Sequence, residues 1–145
     1  MAETTDDTWR PLDCQKIYRA CQDFTFLDEI ALPYSITDYT PGHATQVFGS
    51  ASLLHQLGMS QEEFRKIDLN NGNSASTMNF HLQIYNKTQK ERQHCSMLKT
   101  VYPKGKPWTA TWESRPVLCM LPGETNPRTL ALIAYHPVVK NDIMD

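Results

Sequence analysis

The sequence lacks a long apolar run and an excess of charge of either sign. Its 145 residues include 14 lysines and arginines against 16 aspartates and glutamates, a formal net charge of −2. No stretch approaches the roughly 20 apolar residues that cross a bilayer, and the acidic start MAETTDD is unlike the basic and then apolar plan of a signal peptide. A nearly neutral domain has no general electrostatic attraction for nucleic acid or anionic lipid. We therefore expect a cytoplasmic or nuclear protein that binds neither nucleic acid directly nor a membrane.

Cysteine pairs and catalytic motifs are also missing. The four cysteines, Cys14, Cys21, Cys95 and Cys119, form no C-x-x-C pair and no zinc-finger spacing with histidines. We expect reduced and mostly buried thiols, and no metal site. The sequence has no G-x-S-x-G elbow, no paired histidines at helical spacing, no P-loop and no dinucleotide glycine fingerprint. These absences argue against an enzyme.

The composition and length are those of one packed domain. Hydrophobic residues make up 40% of the chain and charged residues 21%, which is too apolar and too balanced for a disordered chain. Domains commonly contain about 100 to 150 residues, so a single core is expected. Changes in pattern divide the chain into a disordered tail at 1–12, a helical cap at 13–32, the main domain at 33–139 and a second tail at 140–145.

Residues 13–32 have the apolar spacing of an amphipathic helix. Apolar side chains recur at Ile17, Cys21, Phe24, Leu27 and Ala31. Asp13 is a suitable N-cap, and Pro33 ends the segment because the residue before a proline avoids the helical conformation. Asp23 could cap a second helix and so divide the segment in two. In either case the apolar stripe predicts that the segment packs against the rest of the domain.

The main domain begins with a predicted β-hairpin and two capped helices. Residues 34–39 and 43–49 are rich in β-forming residues and flank the turn pair Pro41-Gly42. Ser50 and Gly58 are suitable caps at the two ends of a short helix. The sequence SQEE that starts at Ser60 is a capping box and predicts the start of the next helix.

A longer helix and three strands complete the predicted order. The helix is expected from Thr77 to about Arg92, with apolar residues on one side and charged residues on the other. Strands are predicted at 94–102, 107–121 and 129–139, joined by turns rich in proline, glycine and charged residues. The sequence thus predicts an α+β domain whose last three strands form an antiparallel meander.

This order resembles the plan of PAS domains, and three segments share local features with that family. PYSITDYTPGHATQVFGSASLLHQLGMSQEEF resembles the family's opening, in which a strand ending in Thr-Asp leads through a second strand to a Gly-aromatic-Ser-x-x-Glu helix start; Met59 stands where the aromatic usually is. KTVYPKGKPW resembles the turn into a Pro-aromatic strand, and LALIAYHPV resembles the last strand. The resemblance covers about residues 33–139. It implies a PAS fold: a five-stranded antiparallel sheet with short helices on one face and an N-terminal helical cap.

The function that this resemblance implies is a sensory or protein-interaction module in signal transduction or transcriptional regulation. The alternative is a small-molecule receptor that holds noncovalent flavin, haem or another ligand in the PAS cavity. No kinase, cyclase or DNA-binding segment is recognisable, so the chain is either a stand-alone adaptor or a piece of a larger regulator. Both functions rest on the resemblance, because a fold alone does not fix function.

Within the PAS family, the sequence is similar in character to flavin-binding LOV domains, in which a cysteine adds to the flavin. The sequence EEF fixes the alignment with that family. Leu69 then stands at the family's adduct cysteine, Asn70 at its phosphate-binding arginine and Asn73 at the glutamine that follows. Thr100 and Ala110 stand at the two flavin-holding asparagines, and His136 stands at the signalling glutamine. A leucine cannot form a thiol adduct. The resemblance therefore predicts no LOV photochemistry, and no cofactor is expected.

The same alignment assigns the strand side chains to the two faces of the meander, because successive residues point to opposite faces. The cavity-facing set is Leu98, Thr100 and Tyr102, then Trp108, Ala110 and Trp112, and then Leu132, Ala134 and His136. Trp112 is larger than the expected aliphatic residue, so its ring is expected to fill the cavity; the alternative is that it lines a ligand pocket. The complete set of cavity candidates is Leu57, Leu69, Asn73, His81, Leu98, Thr100, Ala110, Trp112 and His136.

Two of these candidates are histidines with alternative roles. His81 lies on the helix that carries the proximal histidine in haem-binding PAS domains, but a lone histidine on a helix is more often a core or surface polar residue. His136 could report pH or cavity polarity, although a histidine hydrogen-bonded within the sheet is the commoner case.

The outer face of the sheet is expected to be apolar as well. The alignment places Met97, Val101, Ile133 and Tyr135 there, and an apolar outer face needs a cover. The cover is either the N-terminal segment or a second protomer. Phe24 and Leu27 of that segment, together with the four strand residues, form the expected interface of a homodimer or heterodimer.

Overall fold

The computed structural model describes residues 16–20, 22–70, 75–101 and 106–137 and shows a mixed α+β domain. Within these ranges the strands are β1 (Ile17–Arg19), β2 (Tyr34–Asp38), β3 (Thr45–Gly49), β4 (Cys95–Val101), β5 (Trp108–Met120) and β6 (Arg128–Pro137). The helices are a 3₁₀-helix (Thr25–Glu29), α1 (Ala51–Leu57), α2 (Gln61–Arg65), α3 (Ala75–Ile84) and a π-helical segment (Tyr85–Lys90) that continues α3. None of the helices in these ranges is long and apolar enough to cross a membrane.

The strands form one sheet whose spatial order differs from the chain order. β3 pairs with β2, β2 with β6 and β6 with β5, all antiparallel. β5 has 13 residues, and its other edge is shared by two partners. β4 pairs antiparallel with the first half of β5, and β1 pairs parallel with its end. The predicted hairpin and meander are thus confirmed, and β1 is an additional strand.

The short helices begin and end where the sequence predicts. The Ser50 hydroxyl accepts a hydrogen bond in the first turn of α1 and another from the N–H of Tyr34, so one side chain caps the helix and ties it to β2. Gly58 ends α1 at φ +66°, a left-handed conformation that favours glycine. In α2 the Ser60 hydroxyl accepts from the Glu63 N–H at 3.0 Å, and the Glu63 carboxylate accepts from the Ser60 N–H at 2.9 Å.

The π-helical segment is joined to the sheet through the buried side chain of Gln89. Its amide oxygen accepts the N–H of Tyr39 at 2.7 Å. Its amide nitrogen donates to the Asp38 carboxylate at 2.9 Å and to the Thr129 carbonyl oxygen at 3.2 Å. Asp38 also pairs with Arg128 at 3.1 Å. One glutamine therefore links the end of the long helix to the end of β2 and the start of β6.

Each face of the sheet has its own hydrophobic core. The inner face lies under α1, α2 and α3, and its buried residues include Phe64, Phe80, Ala110, Trp112, Ile133 and Tyr135. The outer face is covered in part by the N-terminal segment, which buries Tyr18, Phe24 and Leu27 against strand residues that include Val117, Leu130 and Leu132. Because large apolar side chains contribute about 1.5–3 kcal/mol each when fully buried, this segment stabilises the single chain.

The N-terminal segment is not the helix that its periodicity predicts. Residues 17–19 form β1, a turn follows, and only Thr25–Glu29 is helical. Pairing with residues 118–120 satisfies the backbone of β1, and the Asp23 carboxylate accepts the N–H of Arg19 at 2.8 Å, which lowers the pKa of Asp23. Ile17 belongs to the predicted helical stripe, but it is 46% exposed and its neighbour Tyr18 is buried, as the alternation of a strand requires. Tertiary pairing here overrides the helical spacing. Asp13 and the two predicted tails lie outside the described residues.

The register of the meander shifts β4 and β6 by one residue from their predicted facing. Trp108, Ala110 and Trp112 of β5 do belong to the inner core, as expected. Trp112 is paired with Met97 on β4 and Tyr135 on β6, and directly paired residues share a face. Met97, Val101, Ile133 and Tyr135 are therefore inner residues, whereas Leu98, Thr100, Leu132, Ala134 and His136 lie on the outer face. The predicted facing of β4 and β6 is therefore wrong. Because β6 is apolar on both faces, its sequence shows no alternation of apolar and polar residues that would identify the inner face.

Candidate ligand cavity

A cavity of about 300 Å³ lies between the helices and the inner face of the sheet. Its helix side chains include Leu53 and Leu57 of α1, Phe64 of α2, and Thr77 and His81 of α3. Its sheet side chains include Val101, Trp108, Trp112 and Tyr135. No Asp, Glu, Lys or Arg belongs to the described wall. Ligand pockets are commonly about 300–1,000 Å³, mostly apolar and provided with a few polar groups, so this cavity fits a small organic molecule.

Trp112 forms part of the cavity wall and leaves the volume beside it open. Its ring meets Phe80 edge to face, with centroids 5.0 Å apart at 78°, and meets Tyr135 at 4.8 Å and 75°. Aromatic pairs favour this geometry, and all three side chains are buried. The indole is therefore fixed in place. The structure favours the alternative in which Trp112 lines a pocket over the expectation that it fills one.

Two buried nitrogen atoms of the wall have no hydrogen-bond partner in the described structure: His81 Nδ1 and Trp112 Nε1. The two residues are only 9% and 7% exposed. Leaving a buried polar group unpaired costs about 1–3 kcal/mol, and the large majority of such groups in folded proteins are paired. Both atoms belong to residues that line the same cavity.

Burial keeps His81 uncharged near neutral pH. Desolvation, assisted by the positive charge of Lys99, lowers the pKa of His81 from 6.5 to about 4. The Lys99 ammonium donates to the Thr77 hydroxyl at 3.2 Å and lies 5.3 Å from the centroid of the Phe80 ring. The imidazole itself stacks near Tyr39, with centroids 4.8 Å apart. A neutral imidazole offers one donor and one acceptor.

The side chains of Tyr39, Gln46 and Tyr135 are hydrogen-bonded and neutral. The Tyr135 hydroxyl is 2.7 Å from the Ser35 hydroxyl, and burial raises the pKa of Tyr135. Burial likewise raises the pKa of Tyr39 well above its usual value. Gln46 accepts a hydrogen bond from the Thr37 hydroxyl. The described part of the wall therefore presents no full charge at neutral pH.

A groove of about 340 Å³ borders the cavity beside α3. Groove and cavity share three lining residues, Tyr39, Leu69 and His81. These side chains therefore stand between the cavity and the surface at this side of the domain.

The structure brings some of the predicted cavity residues together and separates others. Leu57, Leu69, His81 and Trp112 line the cavity, and Ala110 is fully buried in the same inner core. Leu98, Thr100 and His136 lie on the outer face and so do not contribute. Asn73 and Tyr102 lie outside the described residues.

Several wall residues are not predicted from the sequence, and the reason differs from residue to residue. The sequence predicts Val101 and Tyr135 on the outer face, whereas the registers of β4 and β6 turn both toward the cavity. Tyr39 and Gln46 lie in the two strands of the predicted hairpin and are both buried. Nothing in the sequence around them indicates that these polar side chains face the cavity. Thr77 was recognised only as the start of a helix.

The outer face differs from the apolar interface that the sequence predicts. Phe24 and Leu27 are each 1% exposed because they are already packed in the outer core. Farther along the sheet, Leu98 is 67% exposed. His136 Nε2 lies 2.8 Å from one oxygen of the Glu113 carboxylate, and His94 Nε2 lies 2.9 Å from the other. His136 is thus bonded across the sheet and away from the cavity.

Comparison with known proteins gives matches in structure but none in sequence families. No family model matches the chain, and no curated protein matches it significantly. The LOV protein of Rhodobacter sphaeroides matches with a TM-score of 0.57 at 11% identity over 81% of this chain and 66% of that chain. The d2 variant of RsLOV matches with a TM-score of 0.57 at 14% identity over 79% and 64%. The chain thus spans slightly less than two thirds of these two proteins.

A fungal LOV domain photoreceptor also matches, with a TM-score of 0.51 at 16% identity over 93% of this chain and 81% of that chain. These similarities show that the chain has the PAS fold of LOV domains, and they confirm the fold that the sequence predicts. At such low identity the likeness concerns the fold, and the function has to be argued from the site.

Proposed function

We propose that this chain is a PAS-type sensory module whose signal is a small molecule bound in the inner cavity. The observation that carries the proposal is the open volume of about 300 Å³ beside the fixed ring of Trp112, in a wall of apolar and neutral polar side chains. The module acts in signal transduction or transcriptional regulation, in the cytoplasm or nucleus, and performs no catalysis.

The wall supports a signalling role because it is built from two layers. Leu57 and His81 belong to helices, whereas Val101 and Trp112 belong to the sheet. A ligand that contacts both layers favours one spacing between them, and it shifts the equilibrium by the difference in its affinity for the two states. The helical layer is joined to β2 and β6 through Gln89, so a change in spacing reaches the strands.

We further infer that the module has no LOV photochemistry and holds neither flavin nor haem. Leu69, at the aligned adduct position, is a buried wall residue. Of the two described cysteines, Cys119 is buried in the outer core and Cys95 is not a wall residue. A cysteinyl adduct needs a thiol beside the flavin, and the described wall contains none.

The spectral test is absorbance of the purified protein between about 300 and 600 nm, where flavin and haem absorb and tryptophan does not. We expect no absorption band and no change on blue illumination, and the same result for Leu69→Cys, because the aligned flavin-holding positions also differ. A blue band that bleaches reversibly would overturn the inference.

The ligand proposal is tested by mass spectrometry of small molecules released when the purified protein is denatured. We expect one compound in near-stoichiometric amount, and much less of it from Leu57→Trp, which places an indole in the cavity. Leu98→Trp makes the same change on the outer face and should retain the compound. Absence of any compound from the unmutated protein, together with no uptake of small apolar molecules, would contradict the proposal.

A second candidate function is protein interaction through the uncovered part of the outer face. Leu98 is 67% exposed in the middle of β4, and in this proposal it is the apolar contact of a homodimer or heterodimer. Light scattering of Leu98→Glu should then show loss of the assembly. Ile17→Glu changes another exposed apolar residue, 46% exposed on β1, and should leave it intact. An unchanged mass for Leu98→Glu would exclude this contact.

A further inference from the structure

The two unpartnered nitrogen atoms of the cavity wall identify the chemistry of its ligand. His81 is supplied by α3 and Trp112 by β5, so the wall is polar at separate points of the helical and sheet layers. Each atom is buried and has no partner in the described structure. The inference rests on the proposed function, because it concerns what the same cavity binds.

Each nitrogen has a defined requirement. The indole Nε1 is a donor only, so it needs an acceptor such as a carbonyl oxygen. His81 Nδ1 is a donor or an acceptor according to the tautomer. An amide group supplies both an acceptor oxygen and N–H donors, and it is therefore the simplest group that serves Trp112 together with either form of His81.

The charge of the wall restricts the ligand further. Among the described residues no Asp, Glu, Lys or Arg lines the cavity, so this part of the wall offers no counter-ion to an anion or a cation. Transfer of an unpaired charge from water into such a site is strongly unfavourable. The Lys99 ammonium, whose charge acts on His81, already donates to the Thr77 hydroxyl and lies over the Phe80 ring. His81 is neutral at physiological pH.

We propose that the cavity binds an uncharged, mainly apolar molecule whose carbonyl or amide group accepts a hydrogen bond from Trp112 Nε1 and pairs with His81 Nδ1. The apolar part of the molecule contacts Leu53, Phe64 and Val101, which line the rest of the wall. The volume of about 300 Å³ limits it to the size of one or two fused rings with a short substituent.

The test uses four probes of nearly equal shape: naphthalene carboxamide, naphthalene carboxylate, naphthylmethylammonium and methylnaphthalene. Binding of each to the full chain is measured at pH 7 by ligand-observed NMR and calorimetry. We expect the carboxamide to bind at least about tenfold more tightly than the other three, because only it pairs the orphan nitrogens without adding a charge.

Variants of the two residues with unpartnered nitrogen atoms, together with a control, test which atoms cause the preference for the carboxamide. Trp112→Phe removes the indole N–H and keeps an aromatic ring, so the carboxamide should lose its advantage over methylnaphthalene. Tyr18→Phe also removes one polar hydrogen from a buried aromatic side chain, but in the outer core and away from the cavity wall, and it should keep the advantage. His81→Phe should reduce the advantage in the same way as Trp112→Phe.

The two ways of failing are distinguishable. If methylnaphthalene or a charged probe binds as tightly as the carboxamide, or if the preference survives Trp112→Phe, the cavity binds ligands but the assigned chemistry is wrong. If none of the four probes binds and denaturation releases no small molecule, the proposed function itself is wrong.

Discussion

Protonation of His81 is expected to destabilise the fold within a defined pH range. The pKa of His81 is about 4 in the folded protein against 6.5 in the unfolded chain. Between these values the unfolded chain binds a proton that the native state does not, so the free energy of unfolding falls as the pH falls from 6.5 to 4. One pKa unit corresponds to about 1.4 kcal/mol. The full difference therefore amounts to about 3 kcal/mol.

The assay is urea unfolding at several values between pH 7 and pH 4.5, carried out on the unmutated protein and on His81→Phe. Carboxylates elsewhere titrate in both proteins, so the difference between their unfolding free energies isolates His81. This difference should grow in favour of the variant by about 2–3 kcal/mol over the range. Lys99→Met should give an intermediate result, since Lys99 is the second cause of the lowered pKa. A difference that does not change with pH would refute a buried, neutral His81.

Two further predictions concern packing. Phe24→Ala should lower the free energy of unfolding by about 3–5 kcal/mol through lost burial and a cavity in the outer core. Phe26→Ala, which truncates a half-buried neighbour, should lower it less. Equal losses of unfolding free energy in urea would contradict the assigned packing. Gln89→Ala should cost about 2–3 kcal/mol because it leaves the buried N–H of Tyr39 and a buried carboxylate without this partner. The control is Gln83→Ala, at an exposed site of α3. Equal melting temperatures of the two variants would count against the hydrogen bonds by which Gln89 joins the helix to the sheet.

Local sequence signals predicted the parts of the fold that depend on near neighbours. The capping box at Ser60 and the left-handed Gly58 are set by hydrogen bonds and backbone angles within a few residues, so a reader of the sequence can find them. The spacing of Phe24 and Leu27 correctly indicated a segment packed on the domain. It could not give the conformation, because β1 is stabilised by residues 118–120, which no local pattern reveals.

The candidate site was less predictable than the fold. Leu69, His81 and Trp112 were found because they lie at positions that a family resemblance marks, and the register of β5 was right. Tyr135 was placed on the wrong face because β6 is buried on both sides, and a strand buried on both sides has no alternation to read. The unpaired state of Trp112 Nε1 depends on every neighbour in three dimensions, so no sequence pattern contains it.

The parallel pairing of β1 with the end of β5 has a consequence for how a growing chain acquires this structure. Ile17 and Leu118 are partners although about a hundred residues separate them along the chain. During synthesis the N-terminal segment therefore emerges long before its binding surface is complete. Phe24 can meet Phe48 of β3 early, since their ring centroids are 6.2 Å apart in the folded domain, but β1 has no strand partner until β5 has been made. Closing so long a loop carries a large entropic cost that only the completed sheet can offset. We infer that β1 pairs only after β5 has formed, and that until then the strand edge and the outer-core residues that this segment covers are open to other chains.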